Sequence, residues 1–399
     1  MGKEIIMIEV KIIFWVFFFL IFYTYLGYGI LLYFLVRLKR VFVIKKPTLI
    51  TEKFEPEVTL FVTAYNEKDF IDLKMQNTFS LDYPKEKIKN VWVTDGSDDG
   101  TPEILRQYKD VEVYHLPKRA GKIAAMNRGI QFVKTPIVIF SDGNTLLGKE
   151  SIQRIVKLFE DPKVGCVSGE KRIFSKDSAA ATEGIYWKYE SFLKKLDAQL
   201  YSVVGAAGEL FAVRTSLFQI VEPDTLLDDF IISLRIAQQG YTIQYDPDAY
   251  AIENPSANVR EELKRKIRIS AGGIQSILRL KSLLNPFKYG WLSFQYVSHR
   301  VLRWTLAPLG LLVLLICNFL ISLQQGLFNF SNYYTWLLWL QITFYILALL
   351  GWFLEQKKIT VKLLYIPYYF FIMNLAVYLG FFRYIKKQQS VNWERAKRG

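Results

Sequence analysis

Two kinds of hydrophobic pattern divide the chain. Near its ends lie four runs of about 20 almost entirely apolar residues, the length at which an α-helix crosses a hydrocarbon core of roughly 30 Å. These runs are Ile12–Val36, Leu306–Leu323, Tyr334–Leu354 and Leu363–Phe382. No comparable run occurs between Arg37 and Arg303. The pattern therefore predicts one N-terminal and three C-terminal membrane segments on either side of a water-soluble domain.

Within the central part, short β-rich runs alternate with stretches of helical character. The predicted strands are Val58–Thr63, Val91–Thr94, Val111–His115 and Ile137–Phe140, and the predicted helices are Asn66–Ser80, Pro102–Tyr108, Lys122–Val133 and Ile231–Gln239. Strands that alternate with helices predict an α/β fold with a doubly wound, mostly parallel sheet. Because ligands of such sheets bind beyond the carboxyl ends of the strands, we expect the functional residues at those ends.

Together with composition and charge, this pattern divides the chain into five segments. They are an N-terminal transmembrane anchor (1–40), a cytosolic domain (41–280), an interfacial helix region (281–304), C-terminal transmembrane helices (305–384) and a basic tail (385–399). The interfacial assignment depends on aromatic residues that lie among Lys and Arg between Asn285 and Trp304. The basic residues of Arg37–Lys46 mark the cytosolic side. We therefore expect an integral protein of the plasma (inner) membrane with a cytosolic central domain.

The number of C-terminal crossings stays open at this point. One N-terminal and three C-terminal crossings would put the basic tail after Arg383 outside, whereas basic segments tend to stay inside. One C-terminal segment is therefore a candidate for an interfacial or re-entrant position. The last segment is the first choice because it contains Pro367.

Polar residues directly follow three of the predicted strands. Ala64–Glu67 follows the first strand, Asp95–Gly100 the second and Ser141–Thr145 the fourth. Any one cluster is also compatible with a simple turn, because Asp, Asn, Ser and Gly are typical turn residues. Three clusters at one sheet edge instead favour ribose and base recognition with a divalent cation. Mg²⁺ and Mn²⁺ take oxygen ligands, and Mg²⁺ sites commonly include substrate phosphates.

Two further polar segments lie at predicted helix starts. The basic run Lys118–Lys122 leads into a helix, and a helix N-terminus suits a phosphate group, although a solvated basic turn is the alternative. Asp228 and Asp229 begin another helix, where acidic residues are commonly caps. Their apolar surroundings also favour a raised carboxylate pKa, which suits a general base.

Charge and residue counts narrow the classes of function. The net charge is +14, but the cations cluster beside the membrane segments, including Lys264–Arg268. Anionic lipid is the expected partner of such clusters, and no nucleic acid partner is expected. Two histidines and two cysteines disfavour a histidine zinc centre and a disulfide framework. The glycine-rich signatures of dinucleotide and P-loop sites are absent from the sequence, so a diphosphate must be held by a metal ion and basic groups.

These motifs together resemble the inverting family-2 glycosyltransferases with membrane anchors, the group that includes cellulose, hyaluronan and poly-N-acetylglucosamine synthases. The ordered motifs cover about Val58–Gln275. The resemblance implies a GT-A-like, Rossmann-like nucleotide-sugar domain, a nucleotide-sugar donor (a UDP-sugar first), Mg²⁺ or Mn²⁺, and a lipid-linked or growing glycan acceptor. It also implies extracellular or cell-surface polysaccharide synthesis, by a single displacement that inverts the anomeric carbon.

The resemblance assigns roles to individual residues of this chain. Donor binding falls to Ala64, Tyr65, Asn66, Glu67, Asp95, Lys122, Asn127 and Asp142. The metal position falls to Asp142 and Asn144, and the acceptor side to Gly208, Glu209, Asp228 and Arg268. Asp229 matches the general base that takes the proton of the acceptor hydroxyl. Asn144 departs from the family pattern, because it replaces a second aspartate with a neutral oxygen donor.

A second departure from the family pattern leaves open whether the enzyme is processive. Processive members carry Gln-x-x-Arg-Trp, whereas this chain has Arg265–Ile269, in which Arg268 is retained and the Gln and Trp are replaced. The alternative is therefore a non-processive enzyme that adds one sugar to a polyprenyl phosphate or another lipid-linked acceptor. From other classes, a membrane transporter with a cytosolic domain and a nucleotide sensor without catalysis are the competing interpretations.

Overall fold

The computed structural model describes residues 2–42, 54–173, 180–254, 259–357, 359 and 361–388. Two predicted segments lie partly outside these ranges. From residue 389 onward the predicted basic tail lies outside the described residues, as does 43–53 at the start of the predicted cytosolic domain. The remaining residues cover both the sheet and the apolar helices, and they are sufficient to locate the predicted site.

Eight strands form one mixed, mostly parallel sheet within the described ranges. They are β1 Val58–Ala64, β2 Ile88–Asp95, β3 Val111–Leu116, β4 Ile137–Asp142, β5 Leu146–Leu147, β6 Val164–Ile173, β7 Leu210–Arg214 and β8 Thr242–Glu253. Their order is β3-β2-β1-β4-β7-β6-β8-β5. The pairs along β3-β2-β1-β4 and the pair β6-β8 are parallel, whereas β7 is antiparallel to both its neighbours and β5 is antiparallel to β8. The predicted fold class is confirmed.

Helices cover the sheet and flank it on both sides along the described sequence. In chain order they are α1 Gly2–Phe22, α2 Tyr28–Phe42, α3 Lys68–Phe79, α4 Thr101–Leu105, α5 Lys122–Gly129, α6 Ser151–Leu158, α7 Ala180–Leu200, α8 Asp228–Gln238, α9 Val259–Arg279, α10 Pro286–Tyr289, α11 Trp291–Tyr296, α12 Leu302–Trp304, α13 Leu306–Gln325, α14 Tyr333–Gln356 and α15 Lys362–Ile385. Two π-helical turns, Tyr23–Gly27 and Val297–Val301, join α1 to α2 and α11 to α12.

The sheet is buried on both faces, and its central strands are apolar on both sides for that reason. Along β1, Phe61 packs into the layer that contains α5 and α8, whereas Leu60 and Val62 pack into the layer of α3 and α6. This alternation follows from the two-residue period of a strand. Because β1 pairs with β2 on one side and β4 on the other, the connections diverge there. A crevice at the carboxyl ends of β1 and β4 is the result expected for such a switch point.

Four helices of the described chain are long and apolar enough to cross a membrane, by length and composition. They cover Glu4–Phe42, Leu306–Gln325, Tyr333–Gln356 and Leu363–Ile385. The last of them continues through Pro367, which lies inside α15. All four coincide with the segments predicted from the hydrophobic runs. The orientation of the chain and the bounds of its five segments stay predictions.

Close backbone contacts join the central domain to the C-terminal helices. On α9, a Cβ at Gly273 would lie 2.4 Å from the Trp304 ring, and Gly380 of α15 approaches the α9 backbone so closely that a Cβ there would lie 2.8 Å from the amide nitrogen of Ala271. Trp304 also packs edge-on against Phe230 of α8, with ring centroids 5.3 Å apart. Helix α9 therefore packs against the apolar helix α15, and Trp304 connects it to α8.

The predicted interfacial region consists of short helices with some side chains buried in the central domain and others exposed. Leu292 and Tyr296 are buried in the core of the central domain, which fixes this region against the sheet layer. Phe287 is 99% exposed and Trp291 is 49% exposed. Contact of these two aromatic side chains with lipid stays a prediction.

Candidate active site

A pocket opens at the carboxyl ends of β1, β2 and β4, where the strand order predicts one. Its lining brings together residues from all three strand ends and from the start of α5. The lining residues are Thr63, Ala64, Tyr65, Glu67, Asp95, Arg119, Gly121, Lys122, Ala125, Asp142, Gly143 and Asn144. Most of the residues predicted to bind the donor and the metal are therefore neighbours, although up to 80 positions of sequence separate them.

Asp95, the last residue of β2, holds the turn that leads into α5. Its Oδ2 accepts hydrogen bonds from the backbone N–H groups of Ala120 (2.8 Å) and Gly121 (2.6 Å). Gly96 follows with φ +72°, and a Cβ there would lie 2.5 Å from the Cβ of Arg119, so only glycine fits between the two turns. Asp95 thus lies in the pocket and also positions the segment that carries Lys122.

Asn66 and Glu67 tie the turn after β1 to the two neighbouring turns. Asn66 has φ +53°, a conformation that Asn tolerates better than most residues. Its Nδ2 donates to Asp98 Oδ1 (2.8 Å) and its Oδ1 accepts from the Asp98 N–H (3.0 Å). The Glu67 carboxylate accepts a hydrogen bond from Asn144 Nδ2 (3.1 Å). Asn66 thereby acts through the turns, whereas Glu67 lies directly at the pocket.

Tyr65 and Arg119 form one wall of the pocket. The Arg119 guanidinium lies 3.6 Å from the centre of the Tyr65 ring, a distance at which the cation is attracted to the ring face. The sequence indicates only a basic run at Arg119, and the structure adds this residue to the site. An aromatic ring with a guanidinium above it offers an anionic ligand both a flat apolar surface and a positive charge.

Lys122, the first residue of α5, is the cation at the centre of the site. Its Nζ lies 2.7 Å from Asp142 Oδ1 and 3.4 Å from Asp228 Oδ2, and it also donates to the carbonyl oxygen of Gly208 (3.4 Å). Burial lowers the pKa of the Lys122 ammonium, but Asp142 and Asp228 outweigh burial and raise the pKa above its ordinary value. The ammonium is therefore charged across the physiological pH range, between the predicted metal position and the predicted base.

Asp229 is a buried carboxylate whose proton affinity suits a base. Burial and the adjacent charge of Asp228 raise the pKa of Asp229 to about 7, while Lys122 acts in the opposite direction. A Cβ at Gly208 would lie 3.1 Å from Asp229 Oδ2, so glycine leaves room beside the carboxylate. Ser233 Oγ donates to the Asp229 carbonyl oxygen (2.6 Å) and accepts from the Ala206 N–H (3.0 Å). These hydrogen bonds fix the first turn of α8 against the loop before β7.

Asp142 and Asn144 offer the oxygen atoms that a divalent cation prefers. Asn144 Oδ1 is buried and has no hydrogen-bond partner among the described residues. Burial raises the pKa of Asp142, although the Lys122 ammonium opposes this rise. Within the described ranges, no group of three or more His, Cys, Asp or Glu side chains is arranged to hold a metal ion. The donor set fits Mg²⁺ or Mn²⁺ bound through one or two protein oxygens and substrate phosphates.

The predicted acceptor side is rich in paired charges. The Glu209 carboxylate lies 2.6 Å from Lys171 Nζ, and Lys171 also pairs with Glu253. Burial would raise the pKa of Glu209, but the Lys171 ammonium prevails and lowers it to about 2. Burial lowers the pKa of Arg268 on α9, although the nearby Asp228 opposes this shift. Glu209 is therefore an anion held beside the predicted base, and Arg268 extends the site towards α9.

Asn127, like Asn66, is a predicted donor residue that does not line the pocket. Its Nδ2 donates to the Val221 carbonyl oxygen (2.7 Å), and its Oδ1 accepts from the Val221 N–H (3.1 Å). Both ends of the amide are thus paired with one backbone unit. Asn127 connects α5 to the segment after β7, and any role in donor binding stays a prediction.

Known proteins that resemble this chain are glycosyltransferases or polysaccharide synthases by name. Residues 59–220 match the family described as Glycosyl transferase family 2. A poly-beta-1,6-N-acetyl-D-glucosamine synthase from Staphylococcus aureus is 28% identical over 247 residues, which are 59% of this chain and 58% of that protein. Glycosyltransferase AglE from Haloferax volcanii is 28% identical over 230 residues, which are 55% of this chain and 74% of that protein. The chain thus spans less than two thirds of the length of the synthase.

A solved structure has the same architecture over nearly the whole chain. It is a mannosyltransferase from Pyrobaculum calidifontis in complex with GDP-Man and Mn²⁺. The TM-score is 0.71 over 95% of this chain and 100% of that chain, at 21% sequence identity. At this identity the similarity shows the fold, and it confirms the GT-A-like α/β domain expected from the sequence.

Proposed function

We propose, from the match of residues 59–220 to glycosyl transferase family 2, that this chain is a membrane-bound inverting enzyme which transfers a sugar from a nucleotide donor. One observation carries the proposal. Lys122 Nζ lies within 3.4 Å of both Asp142 and Asp228, and Asp229, whose pKa is raised to about 7, is the next residue. A cation for a departing diphosphate and a base for an attacking hydroxyl are thereby adjacent in one buried site.

The donor occupies the pocket between β1, β2 and β4 in this proposal. Asp95 and the Tyr65–Arg119 pair take the nucleoside, and Lys122 faces the diphosphate. We expect a UDP-sugar, on the basis of the resemblance of the motifs; the staphylococcal relative is named for a polymer of N-acetylglucosamine. Mg²⁺ or Mn²⁺ would be held by Asp142 and Asn144, where it would supply positive charge to the diphosphate oxygens.

The transfer step follows from the groups that face one another. Asp229 accepts the proton of the acceptor hydroxyl while that oxygen forms a bond to the anomeric carbon. The bond from the anomeric carbon to the diphosphate breaks, and its electron pair leaves with the nucleoside diphosphate. Lys122 stabilises this developing negative charge, which is the interaction that gains most in the transition state. Glu209 and Arg268 lie on the side from which the acceptor approaches.

The pH dependence of kcat/KM should report the Asp229 carboxylate. A base accepts a proton only when it is ionised, and the pKa of Asp229 is about 7. We therefore expect log kcat/KM to rise with a slope of about one as the pH increases towards 7, and to level off above it. Initial rates at low donor concentration measure this profile. A profile that stays flat down to about pH 5 would contradict a base with a raised pKa.

The configuration of the product tests the single displacement. We expect the new glycosidic bond to have the anomeric configuration opposite to that of the donor, because Asp229 activates the acceptor directly. Proton NMR of the first product, read through the coupling of the anomeric proton, measures it. Retention of configuration would rule out the single displacement even if transfer itself were observed.

We further propose that the product is an extracellular or cell-surface polysaccharide, made at the plasma (inner) membrane with the catalytic domain in the cytosol. Four apolar helices and the relative named as a synthase support this proposal. Transfer of one sugar to a polyprenyl phosphate or another lipid-linked acceptor is the second candidate. It is favoured by Arg265–Ile269, where Arg268 is kept but the Gln and Trp of processive enzymes are replaced. Product length on a gel distinguishes the two.

A further inference from the structure

A fully buried lysine lies directly beneath the candidate metal position. Lys74, on α3, has no exposed surface. Its Nζ donates to Ser141 Oγ (2.8 Å) and to the carbonyl oxygen of Thr145 (2.7 Å). These two residues are the first and last of the turn that carries Asp142 and Asn144. An ammonium is costly to bury, and the nearby Asp142 carboxylate favours the charged form of Lys74. The position of Lys74 beneath this particular turn therefore requires a reason beyond filling space.

The turn itself is closed by local hydrogen bonds, and Lys74 adds to them. Ser141 Oγ and Thr145 Oγ1 lie 3.2 Å apart, and Thr145 Oγ1 donates to the Asp142 carbonyl oxygen (3.0 Å). The Lys74 ammonium therefore bridges the two ends of a turn whose middle residues present oxygen atoms to the pocket. A change in the spacing of these ends would separate the oxygens of Asp142 and Asn144.

Helix α3 supports the same segment at three successive places along one face. Glu67, which precedes the helix, accepts from Asn144 Nδ2 (3.1 Å). Lys74 follows two helical turns later, and Asn77 follows one turn after that, so the three residues share a face. The Asn77 amide donates to the carbonyl oxygen of Leu147 and accepts from its N–H, both at 2.8 Å. One helix thus fixes the whole segment from Ser141 to Leu147.

We propose that Lys74 is a positioning residue for the reaction, which holds the turn Ser141–Thr145 so that Asp142 and Asn144 present their oxygens together to the divalent cation and the donor diphosphate. The inference rests on the proposed function, because it assigns Lys74 to the same site. Lys74 touches neither donor nor acceptor, and its effect reaches the reaction through the turn.

Binding of Mn²⁺ in the presence of UDP, and in parallel of GDP, measures the effect without turnover. Electron paramagnetic resonance of free Mn²⁺ gives the dissociation constant for the purified full chain. We expect Lys74→Met to weaken Mn²⁺ binding about 10–100-fold, the usual loss when a partner behind a metal ligand is removed. Lys68→Met is the matched control, because Lys68 lies on the same helix with an exposed side chain, and it should bind as the wild type does.

The outcomes separate this inference from the function on which it rests. If the wild-type protein fails to bind Mn²⁺ both in the presence of UDP and in the presence of GDP, the proposed function is overturned. If the wild type binds Mn²⁺ and the dissociation constant of Lys74→Met lies within about twofold of the wild-type value, only the role of Lys74 is overturned. If Lys74→Met does not fold, Ser141→Ala removes one of the two acceptors, and a weakened Mn²⁺ affinity at an unchanged melting temperature supports the role. Unchanged affinity in Ser141→Ala would overturn it.

Discussion

Asp229→Asn is expected to reduce turnover by about 10²–10⁴-fold, the usual contribution of a general base, and to leave donor binding nearly unchanged. Asparagine has the size of aspartate but cannot accept the proton of the acceptor hydroxyl. Burial and Asp228 raise the pKa of Asp229 to about 7, so the wild-type residue can accept a proton at neutral pH. Steady-state rates with a saturating donor, together with nucleotide binding by calorimetry, measure the two effects separately.

The matched control for this variant is Asp110→Asn. Asp110 is exposed and lies before β3, outside the residues that line the pocket, so the same chemical change there should leave turnover as it is. Equal turnover in Asp229→Asn and wild type would remove Asp229 from the role of base. A loss of nucleotide binding in Asp229→Asn would instead indicate damage to the pocket, and the loss of turnover would then carry no information about the base.

Lys122→Met is expected to reduce kcat by about 10²–10³-fold, the usual cost of removing one group that stabilises transition-state charge. The variant removes the cation that lies 2.7 Å from Asp142 and 3.4 Å from Asp228. Because the Lys122 ammonium lowers the pKa of Asp229, the acid limb of the pH profile should also move to higher pH. Rates measured across the pH range test both effects in one experiment.

Lys118→Met provides the comparison for Lys122→Met. Lys118 belongs to the same basic run, but its side chain is exposed and does not line the pocket. We expect its kcat and its pH profile to match those of the wild type. If both lysine variants lose activity to the same degree, the general charge of the basic run matters and the specific contacts of Lys122 do not.

The first half of the central domain could be predicted from its sequence because each strand is an apolar run that ends in turn residues. The predicted strand Val58–Thr63 and the observed β1 differ by one residue, and the predicted helix Lys122–Val133 is shorter only because its last turn is a 3₁₀-helix. Residues 59–220 match the family that the motifs resemble, and the activity of the whole chain stays a proposal. Local pattern is sufficient for these strands because each is a short apolar run bounded by turn residues.

The second half of the sheet could not be predicted in the same way. Strand β6 contains Ser168, Glu170 and Lys171, and β8 contains the sequence Asp246-Pro247-Asp248, which is typical of a turn. The pairing of β6 with β8 is irregular between Ser168 and Glu170, and this irregularity accommodates the polar residues. Their side chains form ion pairs with distant residues, such as Lys171 with Glu209, so no local pattern marks them.

Part of the basic run that the sequence places at the membrane edge is paired with a carboxylate of the same helix. The sequence places Lys264–Arg268 among the cations at the membrane edge, whereas Lys266 is 5% exposed and pairs with Glu262 (3.5 Å). Arg265 pairs with the same carboxylate at 2.8 Å. Helix α9 packs against the apolar helix α15, and contact of its other charges with lipid stays a prediction. The role of Lys74 could not be predicted from the sequence either, because its partners Ser141 and Thr145 lie far along the chain.

The central claim is that this site transfers a sugar from a nucleotide donor with Asp229 as the base. Membranes that contain wild type or Asp229→Asn, incubated with Mg²⁺ or Mn²⁺ and a panel of labelled nucleotide sugars, test it most directly. The account predicts that one donor delivers label to the lipid-extractable or polymeric fraction, and that the variant loses this incorporation. No incorporation from any donor, together with no nucleotide binding by the wild type, would contradict it.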